Sequence, residues 1–259
     1  MLALFAGQGR LPDILASNLA ASGDHVLRFS VGGDENPVTL NTIGSVLADL
    51  REKGCDRICL AGSIDRRSLS LDAPDEKTIA LLPSLMTALG APDGSALEKM
   101  HGLFEAQGFT VVGAHELCPH LLPGTGVLTQ VQPEDLQTQD VARGLKVLET
   151  IGPADIGQGC VVENGQVLAV EALPGTDFML ASVARFRGDT PAGGVFVKAA
   201  KPGQDLRSDM PVIGPETAEA VISAGLAGIA ILAGQVMVID REQVLDRLNA
   251  AKRFLWVCP

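Results

Sequence analysis

The chain has 259 residues, which is enough for two modest domains that each bury a hydrophobic core. Its formal net charge of −11 disfavours nucleic acid as a partner and docking to a membrane through basic residues, because an acidic surface repels phosphate groups. The five cysteines show no C-x-x-C pair or other zinc-ligand spacing, and the start lacks a signal-peptide pattern. We therefore expect reduced, mostly buried thiols in a cytoplasmic protein.

The first half alternates short apolar runs with amphipathic stretches, which is typical of β-α-β units around a parallel sheet. The predicted strands are 2–6, 25–29, 58–61 and 110–112. The predicted helices are 11–21, 42–52, 75–89 and 95–107. This order indicates an α/β fold with a Rossmann-like N-terminal domain over residues 1–131, ending near a segment rich in Gly, Pro and Thr.

The second half, residues 132–259, begins with a predicted helix and continues through short strands separated by glycines. The predicted helices are 134–150 and 242–251, and the predicted strands are 159–163, 166–170, 194–198, 229–232, 237–239 and 254–258. The stretch 220–239 is uncharged over about the length of a membrane span, but its glycines divide it into pieces too short to cross a bilayer. This half is expected to form a mixed α/β C-terminal domain.

A glycine-rich loop, residues 6–12, lies between the first predicted strand and the first predicted helix. Backbone N–H groups at such a position favour an anion such as phosphate. The candidate substrate-binding residues of this loop are Gly7, Gly9, Leu11 and Pro12. A dinucleotide site is disfavoured, because Pro12 replaces the third small residue of the fingerprint and no acidic residue ends the second strand. A tight strand-to-helix turn is an equally good interpretation.

The histidines give no metal-site pattern: all four lie in the first half and none is spaced as a metal-binding pair. Each is interpreted as a surface or core residue. A dinuclear metallophosphatase of the histidine-rich type is therefore disfavoured. Any general base in the second half must be a carboxylate or a metal-activated water.

Charged residues of the second half concentrate in three predicted loops, 155–158, 171–177 and 198–211. Each loop adjoins an apolar run, and ligand sites of α/β proteins form at the ends of strands. The cations that could neutralise a diphosphate are Lys198, Lys201 and Arg207. The carboxylates suited to Mg²⁺, or to Mn²⁺, are Asp155, Glu171, Asp177, Asp205 and Asp209.

These motifs resemble the LpxI family, the UDP-2,3-diacylglucosamine pyrophosphatases of lipid A synthesis. The resemblance covers nearly the whole chain and rests on segments 6–12, 105–109, 121–122, 155–158, 171–177, 198–202 and 204–214. Two positions depart from the family pattern. Arg66-Arg67 stands where the family usually has Arg-Pro, and Pro92-Asp93-Gly94 stands where it tends to have Gly-Asp-Asp, so Arg66 and Asp93 carry over only weakly.

The resemblance implies a homodimer that hydrolyses an amphiphilic UDP-sugar lipid with Mg²⁺ and makes at most transient contact with the inner membrane. It implies catalytic roles for Asp209, Asp205, Lys198 and Arg207, with metal ligand and base divided in an undecided way between the two aspartates. The further candidate substrate contacts are Gln158, Gly175, Thr176, Lys201 and Gln204. A non-catalytic carrier of the same lipid is the main alternative, and a dinucleotide-dependent oxidoreductase is a weaker one.

Overall fold

A computed structural model describes residues 1–33, 36–64, 69–91, 93–188, 190–207 and 209–259, with the side chains of 93–95 left out. The chain forms two compact units. The first contains Met1–Pro119 and Asp205–Asp209, and the second contains His120–Gln204 and Met210–Pro259. The predicted division at residues 131 and 132 stays a prediction. Arg66 and the side chain of Asp93 lie outside the described residues.

The first unit has the strand order of a Rossmann-like sheet. Its elements are β1 (Leu2–Ala6), α1 (Leu11–Ala21), β2 (Val26–Val31), β3 (Pro37–Val38), α2 (Ile43–Glu52), β4 (Arg57–Ala61), α3 (Glu76–Ile79), α4 (Leu82–Leu89), α5 (Asp93–Ala106), β5 (Thr110–Val111) and α6 (Ala114–Leu117). Five described strands pair in the order β3-β2-β1-β4-β5, and all their pairings are parallel. The order reverses at β1, as in doubly wound α/β domains, which confirms the predicted class.

The core of the first unit is centred on β1, whose residues are all no more than 3% exposed. A continuous apolar run is expected for a parallel strand with both faces covered. Phe5 in β1 contacts the rings of Phe29 and Phe104 edge to face, with centroid distances of 5.6 and 5.8 Å. Helix α5, which carries Phe104, is thereby fixed against the sheet.

The single helix predicted over residues 75–89 is wrong. The structure has α3 and α4 instead, separated at residues 80 and 81. Pro83 lies in the first turn of α4, where it has no N–H to continue a preceding helix and restricts the residue before it. The predicted start is nearly right, because the Asp75 carboxylate accepts a hydrogen bond of 2.7 Å from Thr78 N and caps α3.

The glycine-rich loop after β1 is bonded to the loop after β4. Gly7 N donates to Ala61 O (2.8 Å), and Gln8 exchanges two backbone hydrogen bonds with Ser63, of 2.7 and 3.0 Å. A Cβ atom on Gly7 would overlap the carbonyl oxygen of Ser63. The first N–H groups of this loop are thus used within the fold, which favours the tight-turn interpretation. Substrate binding by the loop stays a prediction.

The second unit is built on a mixed sheet. Its elements are β6 (Gly126–Val127), α7 (Asp135–Ile151), β7 (Gly159–Glu163), β8 (Gln166–Val170), α8 (Gly175–Arg187), β9 (Val195–Lys198), β10 (Val212–Ile213), α9 (Pro215–Ser223), β11 (Gly228–Leu232), β12 (Met237–Val238), α10 (Arg241–Ala250) and β13 (Phe254–Cys258). The order is β6-β13-β11-β9-β7-β8, with β9, β11 and β13 parallel and the other pairings antiparallel. Strands β10 and β12 form a separate parallel pair. The predicted mixed α/β class is confirmed.

Helices cover both faces of this sheet. Val141 of α7 belongs to one buried cluster with Val197 of β9, whereas Leu180 of α8 and Val221 of α9 belong to another with Phe196. Successive residues of a strand point to opposite faces. Lys198 therefore lies on the same face as Phe196, under α8 and α9.

Two helices of the second unit differ from the sequence prediction. The segment 171–177 was predicted as a loop, but α8 already begins at Gly175, and α9 was not predicted. The uncharged stretch 220–239 contains the end of α9 and the short strands β11 and β12. Within the described ranges, no helix has the length and apolar character that crossing a membrane requires.

We expect Gly7→Ala to lower the free energy of unfolding by roughly 1–3 kcal/mol, because the added methyl group overlaps backbone and forces the two loops apart. Gly102→Ala is the matched control. Its Cβ on α5 would meet nothing within 4 Å, so it should stabilise the protein by about 0.5–1 kcal/mol. Urea unfolding measures both changes, and a Gly7→Ala protein as stable as wild type would contradict the tight-turn interpretation.

Candidate functional site

A buried ammonium group lies at the end of β9. The side chain of Lys198 is 8% exposed, and its Nζ donates a hydrogen bond of 2.7 Å to Thr176 Oγ1. The same Nζ lies 3.9 Å from Oε2 of Glu171, which follows β8. A buried charge is costly unless it is paired and hydrogen-bonded. The Glu171 carboxylate and the Thr176 hydroxyl together meet that requirement.

The N-termini of two helices adjoin this lysine. Helix α8 begins at Gly175, which has a φ of +86° that favours glycine. Helix α9 begins at Pro215, after Gly214. A cavity of about 220 Å³ is lined by Pro174, Gly175, Thr176, Asp177, Lys198, Val212 and Thr217. The first N–H groups of a helix have no partner within the helix and carry partial positive charge. The cavity is therefore suited to an anion such as phosphate.

One carboxylate oxygen of Glu171, Oε2, is buried without a hydrogen bond to any described residue. Gly157 and Gly159 leave room for this residue, since a Cβ on Gly157 would overlap the Glu171 carbonyl and one on Gly159 would lie 2.7 Å from Oε2. A buried carboxylate oxygen of this kind needs a cation, which can be the nearby Lys198 or a metal ion.

A second polar group of this unit contains the other predicted residues of the second half. Lys201 Nζ forms an ion pair with the Asp155 carboxylate. Gln204 Oε1 accepts hydrogen bonds from Lys201 N (2.9 Å) and Gln158 Nε2 (3.2 Å). Ala199 N donates to Gln158 O (3.0 Å), which joins this group to the end of β9. These contacts fix the segment that follows Lys198.

A third polar group lies in the first unit, on the segment 205–209. Arg207 binds both carboxylate oxygens of Asp205, with Nε–Oδ1 at 3.0 Å and Nη2–Oδ2 at 2.7 Å. These side-chain hydrogen bonds lower the pKa of Asp205 to about 2, and they raise the pKa of Arg207. Asp205 is thus a permanent anion near neutral pH and a poor proton acceptor.

The five predicted metal ligands are divided between the units. Asp205 and Asp209 belong to the first unit, and Asp155, Glu171 and Asp177 to the second. In the part of the chain that the structure describes, no three His, Cys, Asp or Glu side chains are placed to hold a metal ion together. Mg²⁺ commonly binds through one or two protein carboxylates, with substrate phosphates and water completing its shell. Glu171, with its spare oxygen, and Asp177, in the cavity wall, fit that mode of binding.

Sequence analysis missed Thr217 and Val212 in the wall of the cavity. Gly214-Pro215 is a recognisable helix start, with Pro at the first helical position. That signal would have placed Thr217 in the first turn of a helix. Val212 carried no comparable signal. His101 and Glu105 of α5, close to Asp205 and Arg207, were also missed as site residues.

Comparison with known proteins covers both halves of the chain. The LpxI N-terminal domain matches residues 1–121, and the LpxI C-terminal domain matches residues 124–256. A curated relative, the UDP-2,3-diacylglucosamine pyrophosphatase LpxI of Caulobacter vibrioides, is 40% identical, over 94% of this chain and 92% of that protein.

We expect the Asp205–Arg207 pair to give a pH-dependent part of the stability. The pKa of Asp205 is lowered from 3.8 to about 2 in the folded protein, so its contribution is present above about pH 4 and is lost as the pH falls towards 2. The difference in unfolding free energy between wild type and Asp205→Asn should shrink over that range in urea titrations. In an Arg207→Gln background the same difference should be nearly independent of pH. A constant difference in the wild-type background would refute the pairing.

Proposed function

Because the chain belongs to the LpxI family, we propose that it hydrolyses the pyrophosphate of UDP-2,3-diacylglucosamine, giving UMP and 2,3-diacylglucosamine 1-phosphate. The observation that carries this proposal is the buried Lys198 in a cavity at the N-termini of α8 and α9. Preorganised cations and backbone dipoles stabilise the charge that develops on a phosphoryl group during transfer. The 40% identical relative carries the same activity in its name.

Lys198 and Thr176 would contact the diphosphate directly. The Lys198 ammonium has three N–H donors, so it can keep its bond to Thr176 Oγ1 while it donates to a phosphoryl oxygen. Water is largely excluded around a side chain of 8% exposure, which strengthens this interaction. The lysine would thus offset the negative charge of the departing phosphate.

The division of roles between the two aspartates follows from the pairing of Asp205. Its low pKa and its two-oxygen contact with Arg207 favour a role in orienting the guanidinium. We therefore assign proton removal from the attacking water to Asp209, or metal binding if the water is activated in that way. Arg207 would bind the substrate phosphate through N–H groups that Asp205 does not use.

We also propose a divalent cation, Mg²⁺ or Mn²⁺, held by Glu171 and Asp177 of the second unit together with the substrate phosphates. Around the cavity, the Lys198 ammonium and the N-termini of α8 and α9 supply roughly two positive charges. The carboxylates of Glu171 and Asp177 formally cancel them. An entering diphosphate would then lack counter-charge, which a divalent ion supplies. When bound, such an ion would polarise a phosphoryl oxygen.

The lipid part of the substrate requires apolar surface. Near the cavity, Leu173 is 91% exposed and Phe178 is 64% exposed, and Phe186 lies further along α8 at 76%. Large exposed apolar side chains often mark binding surfaces. They support the proposals of acyl-chain binding, of transient contact with the inner membrane by a cytoplasmic protein, and of a homodimer.

We expect Lys198→Met to lower kcat/KM for UMP release by about 10²- to 10³-fold, as loss of one charge-stabilising donor typically does. Lys146→Met is the matched control, since Lys146 is an exposed lysine of α7 paired with Glu149, and it should keep wild-type activity. Asp209→Ala should abolish release. Release by Lys198→Met at the wild-type rate would overturn the assignment, and a wild-type protein that binds the lipid without releasing UMP would favour the carrier alternative.

We expect UMP release to stop when the purified protein is treated with a chelator and to return when Mg²⁺ is added. Glu171→Gln should raise the Mg²⁺ concentration for half-maximal activity, because it removes a charged oxygen ligand. Glu149→Gln, on the exposed surface of α7, is the control and should leave that concentration unchanged. Full activity in excess chelator would show that the proposed metal is not required.

A further inference from the structure

We propose that His101 and Glu105 of α5 are positioning residues, which hold Asp205 and Arg207 in the geometry that the hydrolysis needs. The inference rests on the proposed function. It adds to the site two residues of α5 that contact the segment 205–209 from about a hundred positions away in the chain. All four residues belong to the first unit.

The two residues lie on one face of α5. His101 and Glu105 are four positions apart, and such residues are neighbours on the surface of a helix. Glu105 Oε1 lies 3.0 Å from Arg207 Nη1, and His101 Nδ1 lies 3.6 Å from Asp205 Oδ2. One helix face thus contacts both members of the Asp205–Arg207 pair.

The guanidinium of Arg207 is held between two carboxylates. Asp205 accepts from Nε and Nη2, and Glu105 accepts from Nη1. These bonds use three of the five N–H groups of an arginine. Among the described residues, the other two N–H groups have no acceptor and can bind a ligand, and the side chain is 38% exposed. A fixed guanidinium loses less conformational entropy on binding a phosphate than a mobile one does.

The environment of His101 argues against simple core packing. Its side chain is only 2% exposed, and burial lowers the pKa of its imidazole, so the ring is neutral near pH 7. A buried polar ring is retained at a cost unless it makes polar contacts. Its Nδ1 lies 3.6 Å from Oδ2 of Asp205, the oxygen that also binds Arg207 Nη2, so the ring limits the positions that the carboxylate can take.

The backbone of the segment is fixed at the same place. A Cβ on Gly113 would lie 3.0 Å from the Cα of Arg207, so Arg207 packs closely on the turn before α6. Glu116 Oε2 accepts a hydrogen bond of 2.6 Å from Gly113 N and closes that turn. The α5 face and the Gly113 turn therefore hold the side chain and the backbone of Arg207 respectively.

The test is a set of steady-state measurements of UMP release. Misplacing a reacting group by about 1 Å can cost up to 100-fold in rate, so Glu105→Gln and His101→Leu should each lower kcat by roughly 10- to 100-fold and change KM much less. His101→Asn should keep most of the activity, because its amide nitrogen can replace Nδ1. Gly102→Ala, on the exposed side of α5, is the control and should behave as wild type.

A double-mutant cycle separates positioning from folding. If His101 acts through Asp205, His101→Leu should lower kcat by less than about 2-fold further in an Asp205→Asn background. Independent, multiplying effects would overturn the proposal, as would equal losses in His101→Asn and His101→Leu. If wild type releases no UMP, the proposed function fails. The contact between His101 and Asp205 is then tested by the same cycle on the free energy of unfolding, where the absence of coupling would overturn the inference.

Discussion

The burial of one ammonium group organises the second unit. Lys198 ends an interior strand, on the face that α8 and α9 cover, and a charge there needs compensation of several kcal/mol. Glu171 and Thr176 supply it from the end of β8 and the first turn of α8. The glycines at 157 and 159 make room for Glu171. The lysine thus explains why two strand ends and a helix start meet at one point.

The first unit has the strand order of a nucleotide-binding fold. The glycine-rich loop at the switch point of its sheet is hydrogen-bonded to a neighbouring loop. In such folds the crevice beyond β1 and its neighbour receives the ligand. Here backbone hydrogen bonds join Gly7 and Gln8 to the loop after β4. Helix α5 of the same unit contacts Asp205 and Arg207 through His101 and Glu105.

Two different solutions for a charged side chain occur in the two units. Lys198 is buried and lies 3.9 Å from the Glu171 carboxylate, so its charge acts in a region of low dielectric, where its field is strong. Arg207 is more exposed and is bound by two carboxylates. Its orientation is therefore fixed, but solvent and the two carboxylates weaken the electric field of its guanidinium. A strong field and a fixed geometry are two distinct ways in which a cation can act on a phosphate group.

The sequence by itself determined the fold class, most strands and the charged loops, because apolar runs, glycines and prolines act over a few neighbouring residues. It also placed Lys198, Thr176 and Glu171 among the candidates. It could not show that α8 begins within the segment 171–177, since only packing of Leu180 and its neighbours decides that. Nor could it pair residue 205 with residue 101, or assign 205–209 to the first unit. Those contacts join positions about a hundred residues apart, and only the tertiary structure brings them within reach of a hydrogen bond or an ion pair.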